Sequence, residues 1–301
     1  MSTNSIGGLT LQLVAEESLR TLVPQLQPLT KIAVTDFGSY VAERGTTVHT
    51  RYAGKFTASN YSRATGFVES DADSTDVPVT LVDQKHVTVA FTDFEVATLS
   101  LDRLRRLFMA PMANAVVKSV FDQVLSKVDG TFASGFNGSL ASFDRLSVAN
   151  IAKSLTKANL PQEGRAALVS PDIYNQLTKD PAVAQAFSIG TSEVIRGNRL
   201  GMIHGIEFYE YNGFDASAGI DATLAGVVSC KEGLVCVTRV PAAPTTGGGE
   251  QTIVTDPDSQ FSYALRYWYD WSAGLHKLSA SWLIGSSKGN PDALQRINLT
   301  A

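Results

Sequence analysis

At 301 residues, with 44% hydrophobic and 18% charged side chains, the chain can fold as one large domain or two ordinary ones, which excludes the disordered class. A net charge of -4 excludes a protein whose main task is to coat nucleic acid, since phosphate neutralisation leaves a strongly basic domain. Two cysteines, Cys230 and Cys236, exclude a disulfide-dense scaffold and a four-cysteine zinc site, and read as small apolar residues. The first residues carry no basic cluster and the apolar runs are only a few residues long, so neither a signal peptide nor a membrane span is expected.

Over 9–29 the residues Leu11, Val14, Leu19, Leu22, Val23 and Leu26 are loosely helical, and Pro24 and Pro28 are read as the stop of a short helix in an N-terminal arm. Ile32, Val34 and Phe37 predict a strand over 32–43, with Asp36 and Gly38 supplying turn chemistry. From Thr46 to Phe91 the flanks alternate, with Val48, Thr50 and Tyr52 leading out and Val77, Val79, Leu81, Val87, Val89 and Phe91 leading back. The middle, 59–76, is polar around Tyr61, Phe67 and Val68. With arms of about 15–20 residues rising ~3.3 Å each, this ribbon would reach about 50–60 Å. A lone two-stranded ribbon is marginal in water and needs a partner surface. The competing reading of the same stretch is a disordered loop.

The strongest helical signal follows. Ser100 is read as an N-cap, Asp102 lies in the first turn, and Leu101, Leu104, Leu107, Phe108, Met112, Val116, Val120, Val124 and Val128 recur at helical spacing. Pro111 predicts a kink or a second helix start. Arg103, Arg105 and Arg106 stand where a helix N-terminus disfavours positive charge, so they are read as meeting acidic groups or as a solvated face. The Gly/Ser-rich stretch 129–144 is read as a linker and subdomain boundary.

Beyond it, Val148, Ile151, Leu155 and Leu160 predict an amphipathic helix closed by Pro161, and 165–169 a strand. Ser170 and Pro171 cap and open a helix running to about Thr178. A turn is expected at 192–195 and strands within 201–211 and 224–240. After the Pro/Gly-rich 241–249, Ile253, Phe261, Tyr263, Leu265, Tyr267, Tyr269 and Trp271 hold period two and predict a long strand, continued by Leu275, Leu278 and 282–285.

No constellation for chemistry emerges. His49, His86, His204 and His276 are scattered, and the chain has no Cys-x-x-Cys, no phosphate loop after Gly247-Gly248-Gly249 and no Gly-x-Ser-x-Gly. The pairs Asp71/Asp73 and Asp256/Asp258 read as turn chemistry before cation ligands. No catalytic, cofactor-binding or metal residue is assigned.

Three segments in this order resemble the major capsid proteins of tailed bacteriophages: Val89-Ala90-Phe91-Thr92-Asp93-Phe94-Glu95 running into 99–128; 165–174 followed by 203–209; and 225–241 followed by the aromatic 263–271 with Trp282-Leu283-Ile284-Gly285. The resemblance implies an α+β, Hong Kong 97-type fold. Its parts would be an N-terminal arm and first strand (1–45), an extended β-ribbon loop (46–92), the spine helix of a peripheral domain (93–141), an axial α/β domain (142–240) and a β-rich peripheral return (241–301). It implies a non-enzymatic subunit of an icosahedral head, assembled in the host bacterial cytoplasm into the virion. Its partners would be its own copies in pentamers and hexamers, double-stranded DNA held without sequence-specific binding, and separate scaffolding, portal or decoration proteins. Arg51, Lys55, Arg63, Lys85, Arg103, Arg105 and Arg106 are the candidate subunit-interface residues. Two alternatives are an encapsulin-like compartment shell and, from another class, an α/β enzyme with an unrecognised site. A long cleavable N-terminal scaffold is not expected, and nothing identifies an asparagine partner for a Lys55 or Lys85 crosslink.

Overall fold

The structure, a computed structural model, describes residues 22, 24–54, 56, 58–69, 74–181, 200–214, 218–243, 249–256 and 259–300. The turn expected at 192–195, most of the N-terminal arm, Lys55, Asp71, Asp73 and Asp258 lie outside them.

Helix α1 (24–32) runs through Pro24 and Pro28 rather than stopping there. A proline in a helix lacks the N–H that would donate back along it, a local cost at Pro28. Full burial of Leu22, Leu26, Leu29 and Ile32 offsets that loss, and Gln25 Nε2 donates to Asn114 Oδ1 at 2.8 Å. Strand β1 (Val34–Ala42) follows, then β2 (Thr47–Ala53), β3 (Ser74–Thr80) and β4 (Asp83–Thr92).

The expected return leg of the ribbon is therefore two strands. β3 pairs with β2 over seven residues, from Thr47 opposite Thr80 to Ala53 opposite Ser74, so the paired ribbon spans about 23 Å instead of 50 to 60. β4 leaves it to pair along ten residues with β13 (Leu275–Lys288). The cause is burial: Val87 and Val89 pack against the main core beside the buried Phe91, an apolar surface that the ribbon cannot offer.

Two short steps follow. Helix α2 (Asp93–Leu99) is capped by Thr92, and α3 (Leu101–Leu125) follows after the single residue Ser100. Ser100 between them is the N-cap position of α3, as expected, but has φ 60° and makes no side-chain cap bond; the side-chain cap at Thr92 belongs to α2. Pro111 lies inside α3, exposed on its outer side. Met109, Met112, Ala113, Val116, Val117, Val120, Phe121 and Val124 are its buried stripe, while Leu107 is turned out to solvent.

The first sheet has the order β1-β10-β13-β12-β11, with β4 on the opposite edge of β13. Its members β10 (Leu234–Pro241) and β12 (Ser262–Asp270) pair antiparallel with β13, β11 (Glu250–Thr255) pairs antiparallel with β12, and β1 joins β10 in parallel. The expected single aromatic strand is in fact the hairpin β12–β13, and Trp271 sits in its turn, almost wholly exposed. A period-two pattern does not reveal a reversal when both legs are apolar on the same face.

The second sheet has the order β5-β14-β9-β6-β8-β7, formed by β5 (Ala133–Gly138), β6 (Arg165–Val169), β7 (Met202–Ile203), β8 (Ile206–Glu210), β9 (Leu224–Ser229) and β14 (Leu294–Leu299). On one face α4 (Arg145–Lys157) and α5 (Pro171–Lys179) bury Val148, Ile151, Leu155, Ile173 and Leu177 against Ala167, Val169, Val228 and Ile297. The other face, through Ala166, Leu168, Val227 and Leu294, joins the core of α3 and the first sheet. Both faces covered explains why β6 is buried at every residue.

The expected linker at 129–144 is thus partly a strand: β5 pairs in parallel with β14. Asp144 then caps α4 by accepting from Ser147 N, and the buried Arg165 holds the other end, donating to the carbonyls of Ala152, Leu160 and Pro161. Ser170 accepts from Ile173 N at the start of α5, as the sequence predicts. β10 and β14 cross between the expected segments, β10 completing the first sheet and β14 the second.

Candidate assembly surface

The ribbon is held only at its root. Val77, Val79 and Leu81 bury against Val235 and Val237 of β10, with Val48 and Tyr52 half-buried beside them. Gly285 is required where the ribbon crosses β13, because a methyl there would sit 2.5 Å from Thr80 O. Beyond Ala53 the chain has no such support. Residues 61–67 make a tight turn in which Gly66 N donates to Ser62 O at 2.7 Å, Gly66 takes φ 68°, and Tyr61 packs on Phe67 with ring centroids 4.9 Å apart. Phe56, Tyr61, Phe67 and Val68 are all exposed, Phe67 at 89%. An aromatic cluster on so thin a support can be desolvated only by another molecule.

The expected interface residues fall in separate places. On the ribbon, Arg51 Nε lies 3.5 Å from Asp76 Oδ1, and His49 Nδ1 lies 2.7 Å from Asp76 Oδ2. The hydrogen bond from His49, aided by Arg51, holds the Asp76 carboxyl below its ordinary range. Arg51 thus meets an acidic residue of its own chain. Arg63 is exposed in the ribbon's end loop. Lys85 stands in β4, half-buried opposite Trp282 in the register with β13. Arg103 is exposed on the first turn of α3 and Arg105 and Arg106 follow on the second; the side chains of these last two are outside the described set, as is Lys55. The ribbon, the β4 edge and the helix start are three regions, not one cluster.

One group that spacing arguments miss is the joint between α2 and the sheet. Thr92 Oγ1 accepts from Glu95 N, and Glu95 Oε2 accepts from Thr92 N at 2.8 Å, a reciprocal cap that keeps the Glu95 carboxyl below its ordinary range. Asp93 accepts from Tyr269 OH at 2.9 Å and lies 3.2 Å from His276 Nε2, whose Nδ1 meets Tyr267 OH at 2.7 Å. Trp271 packs edge-on against Tyr269 at 4.7 Å, and Phe94, next to Asp93, is 80% exposed. The legible signal was Thr92-Asp93-Phe94-Glu95, a capping-box spacing; the contribution of 269–276 depends on tertiary contact.

The groups with displaced proton affinities serve structure. Burial raises the Cys236 thiol to about 12, so it stays neutral. A hydrogen bond from Lys288 Nζ holds Asp129 well below the carboxylate range. Among the described residues no group of three or more His, Cys, Asp or Glu side chains could hold a metal ion, and no helix is long and apolar enough to cross a membrane. Asp256 accepts from Ser259 N and is fully buried, which makes it a turn residue.

No protein-family model and no curated protein matches the sequence. Solved structures do match. The cyanophage P-SCSP1u capsid structure is similar at TM-score 0.58 and 14% identity, covering 89% of this chain and 86% of that one. The bacteriophage PhiM1 mature capsid is similar at TM-score 0.57 and 15% identity, covering 88% and 85%. The chain has the α+β Hong Kong 97-type capsid fold. The Ralstonia phage GP4 capsid, at TM-score 0.55 and 13% identity over 89% and 87% of the two chains, agrees.

Proposed function

We propose that this chain is the shell-forming subunit of a bacteriophage head, closing with its own copies around double-stranded DNA. The observation that carries the reading is the ribbon: seven paired residues rooted on β10, ending in an exposed aromatic cluster that its own body leaves uncovered. Such a part gains stability only against a neighbour, and repetition around a closed shell sums many modest contacts. The likeness to phage capsids supports the same reading.

In this proposal 46–92 lies across adjacent subunits, 93–141 and 241–301 build the peripheral region, and 142–240 surrounds the pentamer and hexamer axes. Arg51, Lys55, Arg63 and Lys85 meet acidic groups of neighbours, as do Arg103, Arg105 and Arg106. The DNA is enclosed without sequence readout, the subunits assemble in the bacterial cytoplasm, and scaffolding, portal or decoration proteins are separate chains. The role is structural rather than catalytic.

Electron microscopy and size-exclusion chromatography of the recombinant chain test this. Closed particles, rings or tubes are expected. A monodisperse monomer in which segment 46–92 resists protease would overturn the reading.

A further inference from the structure

Across β4, β13, β12 and β11 the first sheet carries an open trough of about 690 Å³, within the roughly 300–1,000 Å³ that small-molecule sites occupy. Tyr263 and Leu265 of β12 face the core that α3 joins, and Arg266 and Trp268 alternate with them onto the trough. Its floor is closed: Ser279 and Ser281 are buried, and Thr88 Oγ1 donates to Ser279 Oγ at 2.9 Å. The groups that solvent reaches are Gln84, His86 and Thr88 on one side and, in part, Gln251, Arg266 and Trp268 on the other.

The charge of the trough is uncompensated at one point. Arg266 donates from Nε to Gln251 Oε1 and from Nη2 to Ala242 O, each at 2.9 Å. Both acceptors are neutral, and no described carboxylate forms an ion pair with the guanidinium. Burial lowers its proton affinity, as it does for any cation that has lost water without gaining a counter-charge. Lys277, the other basic chain on the lining, is already paired with Asp270 at 2.6 Å. Glu250 is the only carboxylate among the described lining residues and is exposed at the rim.

One guanidinium suits one carboxylate, which it grips with two parallel bonds. A phosphate chain needs several cations or a cradle of free backbone amides, and the amides of β12, β13 and β4 are engaged in their ladders. Trp268 stacks on no other ring among the described residues, so its face is left for C–H groups, which the negative π surface attracts. The amides of Gln84 and Gln251 and the Thr88 hydroxyl both donate and accept, as recognition of hydroxyl groups requires. A ligand with a carboxylate, an apolar C–H face and a hydroxyl-bearing edge is an acidic sugar. Three inter-strand steps of about 4.8 Å make the trough roughly 14 Å across, enough for a short chain of such rings.

We propose that the trough is a carbohydrate site for an acidic oligosaccharide, with the carboxylate of a uronic acid on Arg266, the C–H face of its ring on Trp268, and its hydroxyls on Gln84, Thr88 and Gln251. The site goes beyond the shell reading and does not depend on it. Its affinity falls as salt screens the single charge pair.

Saturation-transfer NMR of the full chain with trigalacturonic acid, read on the ring protons of the sugar, tests the proposal in free chain and particle alike. Transfer is expected from the acid, and its methyl ester, which keeps the rings and removes the charge, should bind about tenfold more weakly. Arg266→Gln should weaken the acid by a similar factor and leave the ester unchanged, whereas Trp268→Ala should weaken both. The comparison of acid with ester needs no variant to fold. No transfer at millimolar sugar, equal binding of acid and ester, or acid binding undiminished in Arg266→Gln would overturn the site. Inorganic phosphate that displaces the trisaccharide as well as galacturonic acid does would mark a plain anion site and overturn the sugar assignment. Electron microscopy of the same sample reads particle formation separately, so the shell reading stands or falls by itself.

Discussion

The ribbon and the second sheet are both built of short strands, and they differ in what lies on their faces. β6 is covered on one side by α4 and α5 and on the other by the core of α3; β2 is half-buried at alternate residues and exposed at the rest. The same backbone pairing is therefore part of a cooperative body in one place and an appendage in the other. Strand propensity does not decide this; the number of apolar faces that the surroundings can cover does.

The comparison can be broken from the body side first. Trp282 is fully buried among α3 and the sheet, and Trp282→Ala is expected to cost about 3–5 kcal/mol, read as a lowered urea midpoint shared by every probe. Leu81→Ala at the ribbon root should cost about 2–3 kcal/mol. Hydrogen exchange should show loss of protection confined to β2 and β3 while α3 stays protected. A global loss would mean that the ribbon and body are one unit after all. Thr92→Ala removes the cap of α2 and should cost about 1 kcal/mol, seen as faster exchange over 93–99.

Two smaller tests sharpen the contrast. The backbone N–H of Ser147 holds the Asp144 carboxyl below its ordinary range. Its contribution is fully present above the unfolded value near 3.9 and is lost as pH falls through the lower folded value. Asp144→Asn keeps a cap but removes the charge, so thermal melts should separate wild type and variant at pH 7 and bring them together towards pH 2. At the ribbon, Arg51→Ala removes an exposed contact to Asp76 and should leave the melting temperature unchanged while lowering the yield of particles. A fall in melting temperature would place Arg51 in the stability of the single chain rather than in assembly.

Legibility followed the range of the interactions. The α5 start was readable because Ser170 and Pro171 act within one turn, and α3 because its apolar stripe repeats along one helix. Pro24 and Pro28 misled because their local cost is outweighed by burial against partners that lie far off in sequence. Ser100 correctly marked the start of α3, but the missing side-chain cap bond and the φ of 60° there were not legible. Of the interface candidates, Arg51 and Arg63 were legible as ribbon residues, but the pairing of Arg51 with Asp76, and of Lys85 with Trp282 in the register, depends on strand alignment. The trough was not legible at all, since Thr88, Arg266 and Ser281 come from three strands.

By itself the sequence determined the periodic elements: the long helix, the amphipathic α4, the buried β6, the polar ribbon end, and the order of parts that resembles a capsid subunit. Those follow from propensities and periodicities set by neighbours a few residues away. Only the tertiary structure decided that β4 leaves β3 for β13, that β10 and β14 serve different sheets, and that the chain between α3 and α4 becomes an edge strand. The physical reason is that strand pairing joins residues about 200 positions apart, as Asp83 and Ile284 are, and the apolar faces left to be covered select among pairings that local patterns leave equivalent.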